Sequence, residues 1–185
     1  MANILVSYPI WAVNVEVFHE LKKLFMKESH DLVGIGIDPI TYDRLPGTDK
    51  SGSTLVQFPE IGYWSSIKRY FKDSNGVVIP LDKPKKDQIE IEAAKTLEHF
   101  SDYSTVKKHL ESLLVGISQS PDTIMTHHLT KVWNKALEMA DGYLENKVGF
   151  MEKTIELYKP DMVIVHSREA ELLEKRLTEY KMIVL

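Results

Sequence analysis

The segment VIVHSRE, residues 163–169, ends an apolar run and then sets an imidazole, a hydroxyl, a guanidinium and a carboxylate on consecutive positions: His166, Ser167, Arg168 and Glu169. Two other short apolar runs lead to carboxylates, LVGIGI to Asp38 and VVIPL to Asp82, and the run ILV leads to Ser7 and Tyr8. If these runs are parallel strands, all of these residues stand at the carboxyl edge of one sheet. Ligands of open α/β sheets bind there, and helix N-termini point there as well. Two carboxylates and an imidazole meeting at such an edge, Asp38, Asp82 and His166, can hold a divalent metal or act as acid and base on a polar substrate. The same residues also have structural uses. Asp38 precedes Pro39 in a turn, Asp82 lies in the turn-like LDKP, and Ser167 can cap a helix whose first turn favours the charge of Glu169.

Other polar groups offer less. His127 and His128 are adjacent on a helical pattern, about 100° apart around the axis, and no HExxH is present. The stretch PGTDKSGSTLVQFPEIG, residues 46–62, is rich in Gly, Ser, Thr and Pro and is long for a connection, as binding loops often are. It is not a phosphate-binding P-loop, because Lys50 precedes Gly52 and LVQFPEIG does not read as a helix start. There is no cysteine, which excludes disulfides, thiolate zinc sites, iron–sulfur clusters and cysteine nucleophiles. The formal charge of −4 argues against nucleic acid as the main partner, and the densest basic cluster, Lys83, Lys85 and Lys86, reads as a solvated loop.

The elements that position these groups follow from periodicity. The runs at Ile4–Val6, Leu32–Ile37, Val77–Ile79, Met162–Val165 and Met182–Leu185 are short, rich in Val and Ile and mostly not alternating, as in parallel strands covered on both faces. Between them, Val13, Val17, Leu21, Leu24 and Phe25 form one apolar helical stripe. Asp87 with Glu90 has capping-box spacing, and Ser120 with Pro121 fits a helix start. From Met125 to Tyr158 the apolar positions keep nearly one helical phase through Asp141-Gly142, which favours one long helix, bent near Gly142, over two antiparallel ones. The expected fold is a single α/β domain over 1–185, with a mostly parallel sheet of about five strands flanked by helices. No apolar run approaches the roughly 20 residues of a membrane span, and MANILVSYPIW lacks the basic flank of a signal peptide, so a cytoplasmic protein is expected. The long helix could pair with its copy across a two-fold axis, which makes a homodimer the expected assembly.

In order along the chain, ILVSYPIWAVNVEVFHELKKLF, HDLVGIGIDPITYDRL, VVIPLDKP and PDMVIVHSREAELLEKRL resemble the layout of the TraB and ChaN/Tiki-like superfamily. In that layout a first strand leads to Gly-x-x-His, a second ends in a Glu-Leu-Asp-type segment followed by Arg or Tyr and Leu, and a later strand carries a second histidine. Asp38, Tyr42 and Leu45 match the second segment, and Pro80-Leu81-Asp82 resembles the third. Ser7-Tyr8-Pro9-Ile10 stands where the first motif would be, Gly36 replaces the glutamate, and His166 is the histidine that remains. The resemblance therefore implies a non-catalytic or degenerate member that binds a small polar ligand or a protein partner at the carboxyl edge. Ser7, Tyr8, Asp38, Tyr42, Asp82, His166, Ser167 and Arg168 would surround the ligand, and residues 46–62 would cover it. The alternative it implies is a metal-dependent, peptidase-like hydrolase with Asp38, Asp82 and His166 as ligands and Glu169 as base.

Overall fold

A computed structural model describes residues 3–8, 15–27, 30–45, 59–99 and 105–185. Five strands, β1 (Asn3–Tyr8), β2 (Leu32–Ile35), β3 (Val77–Pro80), β4 (Met162–His166) and β5 (Tyr180–Val184), form an all-parallel sheet in the order β3-β2-β4-β1-β5. The helices among the described residues are α1 (Val15–Lys27), α2 (Pro39–Arg44), α3 (Pro59–Asp73), α4 (Gln88–His99), α5 (Val106–Ser118), α6 (Ile124–Met139), α7 (Tyr143–Tyr158) and α8 (Ser167–Glu174). The chain forms two compact units, residues 1–84 with 147–185 and residues 85–146.

The first unit holds the sheet. β4 is buried along its whole length and β1 from Ile4 to Tyr8, which is why both read as unbroken apolar runs instead of alternating ones. Alternation of side chains still divides the sheet into two faces. Ile4, Val6 and Tyr8, Val33 and Ile35, and Met162 and Ile164 pack with Leu21 and Phe25 of α1 and with Trp64, Ile67 and Phe71 of α3. Ser7, Gly36 and Val165 point to the other face. Gly36 lies in a close approach, since a Cβ there would stand 3.1 Å from Val165 Cγ1 and 3.3 Å from Val165 Cα. Asp161 stitches the lower ends of β2 and β4 together, its Oδ2 accepting from the backbone N–H of Asp31 at 3.1 Å and of Leu32 at 3.2 Å.

The second unit is helical. Ala93, Ala94 and Leu97 of α4, Val106 and Leu110 of α5, and Val132 and Ala136 of α6 share one core. Asp87 caps α4 through the Glu90 N–H at 2.9 Å, but the Glu90 carboxylate reaches back to the Lys86 N–H at 2.6 Å and not to the cap residue.

Three expectations change. The single helix expected from 125 to 158, bent near Gly142, is two helices, α6 and α7, because Gly142 adopts φ +65, a left-handed conformation that a right-handed helix cannot contain. α6 starts three residues later than the Ser120-Pro121 signal: Thr123 is its N-cap in a reciprocal pair with Thr126, while the Ser120 hydroxyl donates back to Gly116 O. Of the stretch 46–62, residues 46–58 lie outside the described residues. Residues 59–62 open α3 and do not continue a loop, with proline at the first helical position, where its missing N–H costs nothing.

Candidate functional site

β1 leads leftward in the sheet to β2, and β4 leads rightward to β5, so the crossover leaving each of these neighbouring strands passes over the other. Right-handed crossovers then place α1 and α8 on opposite faces and open the sheet's crevice between the carboxyl ends of β1 and β4. Tyr8 and His166 are the facing residues at those ends. Moving outward along the same edge, Gly36 N–H donates to Ile164 O at 2.9 Å and Asp82 N–H donates to Ile37 O at 3.1 Å, which brings the segments that carry Asp38 and Asp82 alongside.

His166 ends β4 and is also the N-cap residue of α8, with φ −64 and ψ 154. Its side chain makes no capping bond. Instead it turns onto the α1/α3 face, with Nε2 3.2 Å from Tyr8 Oη and ring centroids 4.5 Å apart. Trp64 of α3 stands edge-on to both rings, at 5.5 Å from Tyr8 and 6.4 Å from His166. All three residues are buried. Ser167, expected as a helix cap, is the first helical residue, because the cap position is already filled by His166; it and Arg168 are half-buried. Ser7 is buried on the opposite face from Tyr8, and its carbonyl accepts from the Leu185 N–H at 2.9 Å.

Asp38 is the N-cap of α2. Its Oδ1 accepts from Ile40 N–H at 3.1 Å and Thr41 N–H at 3.0 Å, and its Oδ2 from the Thr41 hydroxyl. Tyr42, in the same helix, carries Lys68 Nζ 4.3 Å above its ring, and that ammonium also donates to Tyr42 O at 2.8 Å. Burial, assisted by the negative charge of Asp43, pushes the Tyr42 phenol above its ordinary range. Asp82 Oδ1 accepts from the Lys83 N–H at 2.7 Å.

The structure adds a residue that the sequence reading passed over. Lys147 of α7 is buried, with Nζ 2.9 Å from Glu169 Oε1 and 4.0 Å from Asp82 Oδ2; the three side chains are only 3–5% exposed. Its signal was present, since Lys147 lies four residues after Tyr143 and four before Met151, on the apolar stripe of its own helix. A charge on such a stripe needs a partner.

The edge therefore assembles two groups, Tyr8 with His166 and Asp82 with Lys147 and Glu169. Asp38 is engaged in its own helix. Among the described residues no three His, Asp or Glu side chains form a metal-ligand set, so Asp38, Asp82 and His166 are not brought together as one. His166 faces Tyr8 and Trp64, and the oxygens of Asp38 are taken up by α2. No helix among the described residues is long and apolar enough to cross a membrane. Comparisons with protein-family models, curated proteins and solved structures find no match to this chain.

Proposed function

We propose that the chain binds a small polar ligand at the carboxyl edge of its sheet, over the β1/β4 crevice, without turning it over. The observation that carries this reading is the Tyr8–His166 pair, two buried polar rings joined across the strand ends where the crossover connections diverge. Half-buried Ser167 and Arg168 follow at once in the first turn of α8, where N–H groups and a guanidinium suit a polar or anionic group. The metal-dependent hydrolase reading has less to rest on, since Asp38 is spent on a cap and Glu169, its base, is held by Lys147. Kinship with the TraB and ChaN/Tiki-like superfamily rests on the four sequence segments alone, and ligand binding does not require it.

The test is a titration of isotope-labelled protein with nucleotides, sugar phosphates, dicarboxylates and amino acids, followed by NMR. The expected result is a set of chemical-shift changes centred on Tyr8, His166, Ser167 and Arg168, weakened by Arg168→Ala. Changes confined to other parts of the chain, or none across the panel, overturn the proposal.

A further inference from the structure

We propose that β5 is the contact strand of a two-fold dimer, its outer edge pairing antiparallel with the same strand of a second copy of this chain. The hydrogen bonds of the sheet show which groups are open to such a contact. Leu185 N–H donates to Ser7 O at 2.9 Å, and in a parallel ladder alternate residues turn their N–H and C=O to alternate sides. Lys181, Ile183 and Leu185 therefore face β1, whereas Met182 and Val184 face outward, where no strand among the described residues pairs with them. The opposite edge of the sheet is closed. Val77 N–H donates to Asp31 O at 2.8 Å and Leu81 N–H to Ile35 O at 2.8 Å, so Val78 and Pro80 are the outward residues of β3, and Pro80 has no N–H to offer. β5, YKMIV, has no proline and one charge, Lys181. Its apolar side chains are also left open: Val184 is 68% exposed, Met182 is half-buried, and Ile183 and Leu185 lie half-buried at the margin of the core that α1 and α3 share with the sheet.

A second β5 suits this edge because the pairing is self-complementary. Centring the two-fold on Met182 sets that residue against its own copy, Val184 against Tyr180 and Lys181 against Ile183, so apolar side chains cover one another and the lysine does not face itself. Met182 then exchanges reciprocal hydrogen bonds across the axis, and the Val184 N–H reaches a Tyr180 carbonyl, while the Tyr180 N–H stays with Leu177 O at 3.1 Å. Each copy spends its open edge on the other and keeps the edge with Pro80 outermost, so assembly closes at two and does not grow into a fibre. The two-fold contact is thus carried by the sheet edge and not by a long helix, which the break at Gly142 divides. The inference is independent of the ligand reading, and its test uses no ligand.

The experiment measures the mass of the full chain and of its Val184→Pro variant in solution by light scattering, over a range of concentrations up to about 300 µM. Proline at 184 removes an N–H that points away from β1, so the ladder within the sheet is kept while the edge is blocked. The parent chain should approach twice the mass of one chain as concentration rises. Val184→Pro should need about tenfold higher concentration or more to do so, because each dimer loses two symmetric hydrogen bonds. In the parent chain the Met182 and Val184 amides should also exchange with solvent more slowly as the protein is concentrated. A parent chain that stays at the mass of one copy, a dimer undiminished by Val184→Pro, or exchange at Met182 and Val184 that does not slow with concentration overturns the inference. If Val184→Pro does not fold, the exchange of these two amides in the parent chain decides by itself.

Discussion

Asp38 offers the clearest separation of a structural role from a ligand-binding one. Replacing it with alanine removes the acceptor of two backbone N–H groups at the start of α2 and of the Thr41 hydroxyl, at a position that is nearly buried. Loss of a side-chain cap costs about 0.5–2 kcal/mol, and loss of a negative charge at a helix N-terminus costs about 0.3–1 kcal/mol more. With both backbone donors served by one oxygen, and little water to replace it, Asp38→Ala should cost about 2 kcal/mol. Asp38→Asn keeps a side-chain oxygen for Ile40 and Thr41 and loses mainly the charge, so it should cost about 0.5–1 kcal/mol. The assay is urea unfolding read from the NMR intensities of β4 amides, which reports the sheet unit alone. At a slope of about 2 kcal/mol per molar urea, the midpoints should fall by about 1 M for alanine and about 0.25–0.5 M for asparagine. The Ile40 and Thr41 amides should also exchange faster in alanine than in asparagine. Equal losses for the two variants, or a loss below about 0.5 kcal/mol for alanine, would refute the capping role.

Gly36→Glu should destabilise the fold by about 3 kcal/mol or more. A Cβ there meets the backbone of Val165, and a carboxylate would follow it into the sheet; a melting temperature within about 2 °C of the parent chain would show that the close approach is not limiting. Tyr180, whose hydroxyl donates to Pro160 O at 2.7 Å, has its phenol pushed up to about 12 by burial first, with Glu179 and Asp161 adding to the effect. The folded chain thus keeps this proton longer than the unfolded one, so the contribution is full below pH 10 and is lost as pH rises through about 12. Tyr180→Phe should remove a late-ionising phenol from the absorbance titration at alkaline pH, and an unchanged titration curve would contradict the assignment. Gly142→Ala should cost about 1 kcal/mol by forcing a Cβ into a left-handed conformation. A gain in both stability and helicity by circular dichroism would mean instead that α6 and α7 can merge.

The fold class was legible because its cause is local. Strands such as MVIVH in β4 are covered on both faces, so burial selects an unbroken Val/Ile run, and the stripe of Leu21, Leu24 and Phe25 records one buried side of α1. Asp38 was legible as a turn residue before Pro39 but not as the cap of α2, although the N–H groups it accepts from lie only two and three residues away. What the sequence could not reveal depends on strand order. Tyr8 and His166 are separated by 158 positions, and only the placement of β4 beside β1 makes them neighbours; an order that separated these two strands would have left His166 beside a different residue. Lys147 is the intermediate case. Its charge on an apolar stripe announces a buried partner, but which carboxylates answer it was decided by the return of the chain after β3 and β4. The break at Gly142 was misread because apolar periodicity records which residues are buried, and two helices can bury the same phase as one. Periodicity reports burial one residue at a time, whereas a site is made of distances between segments, and tertiary packing alone sets those distances.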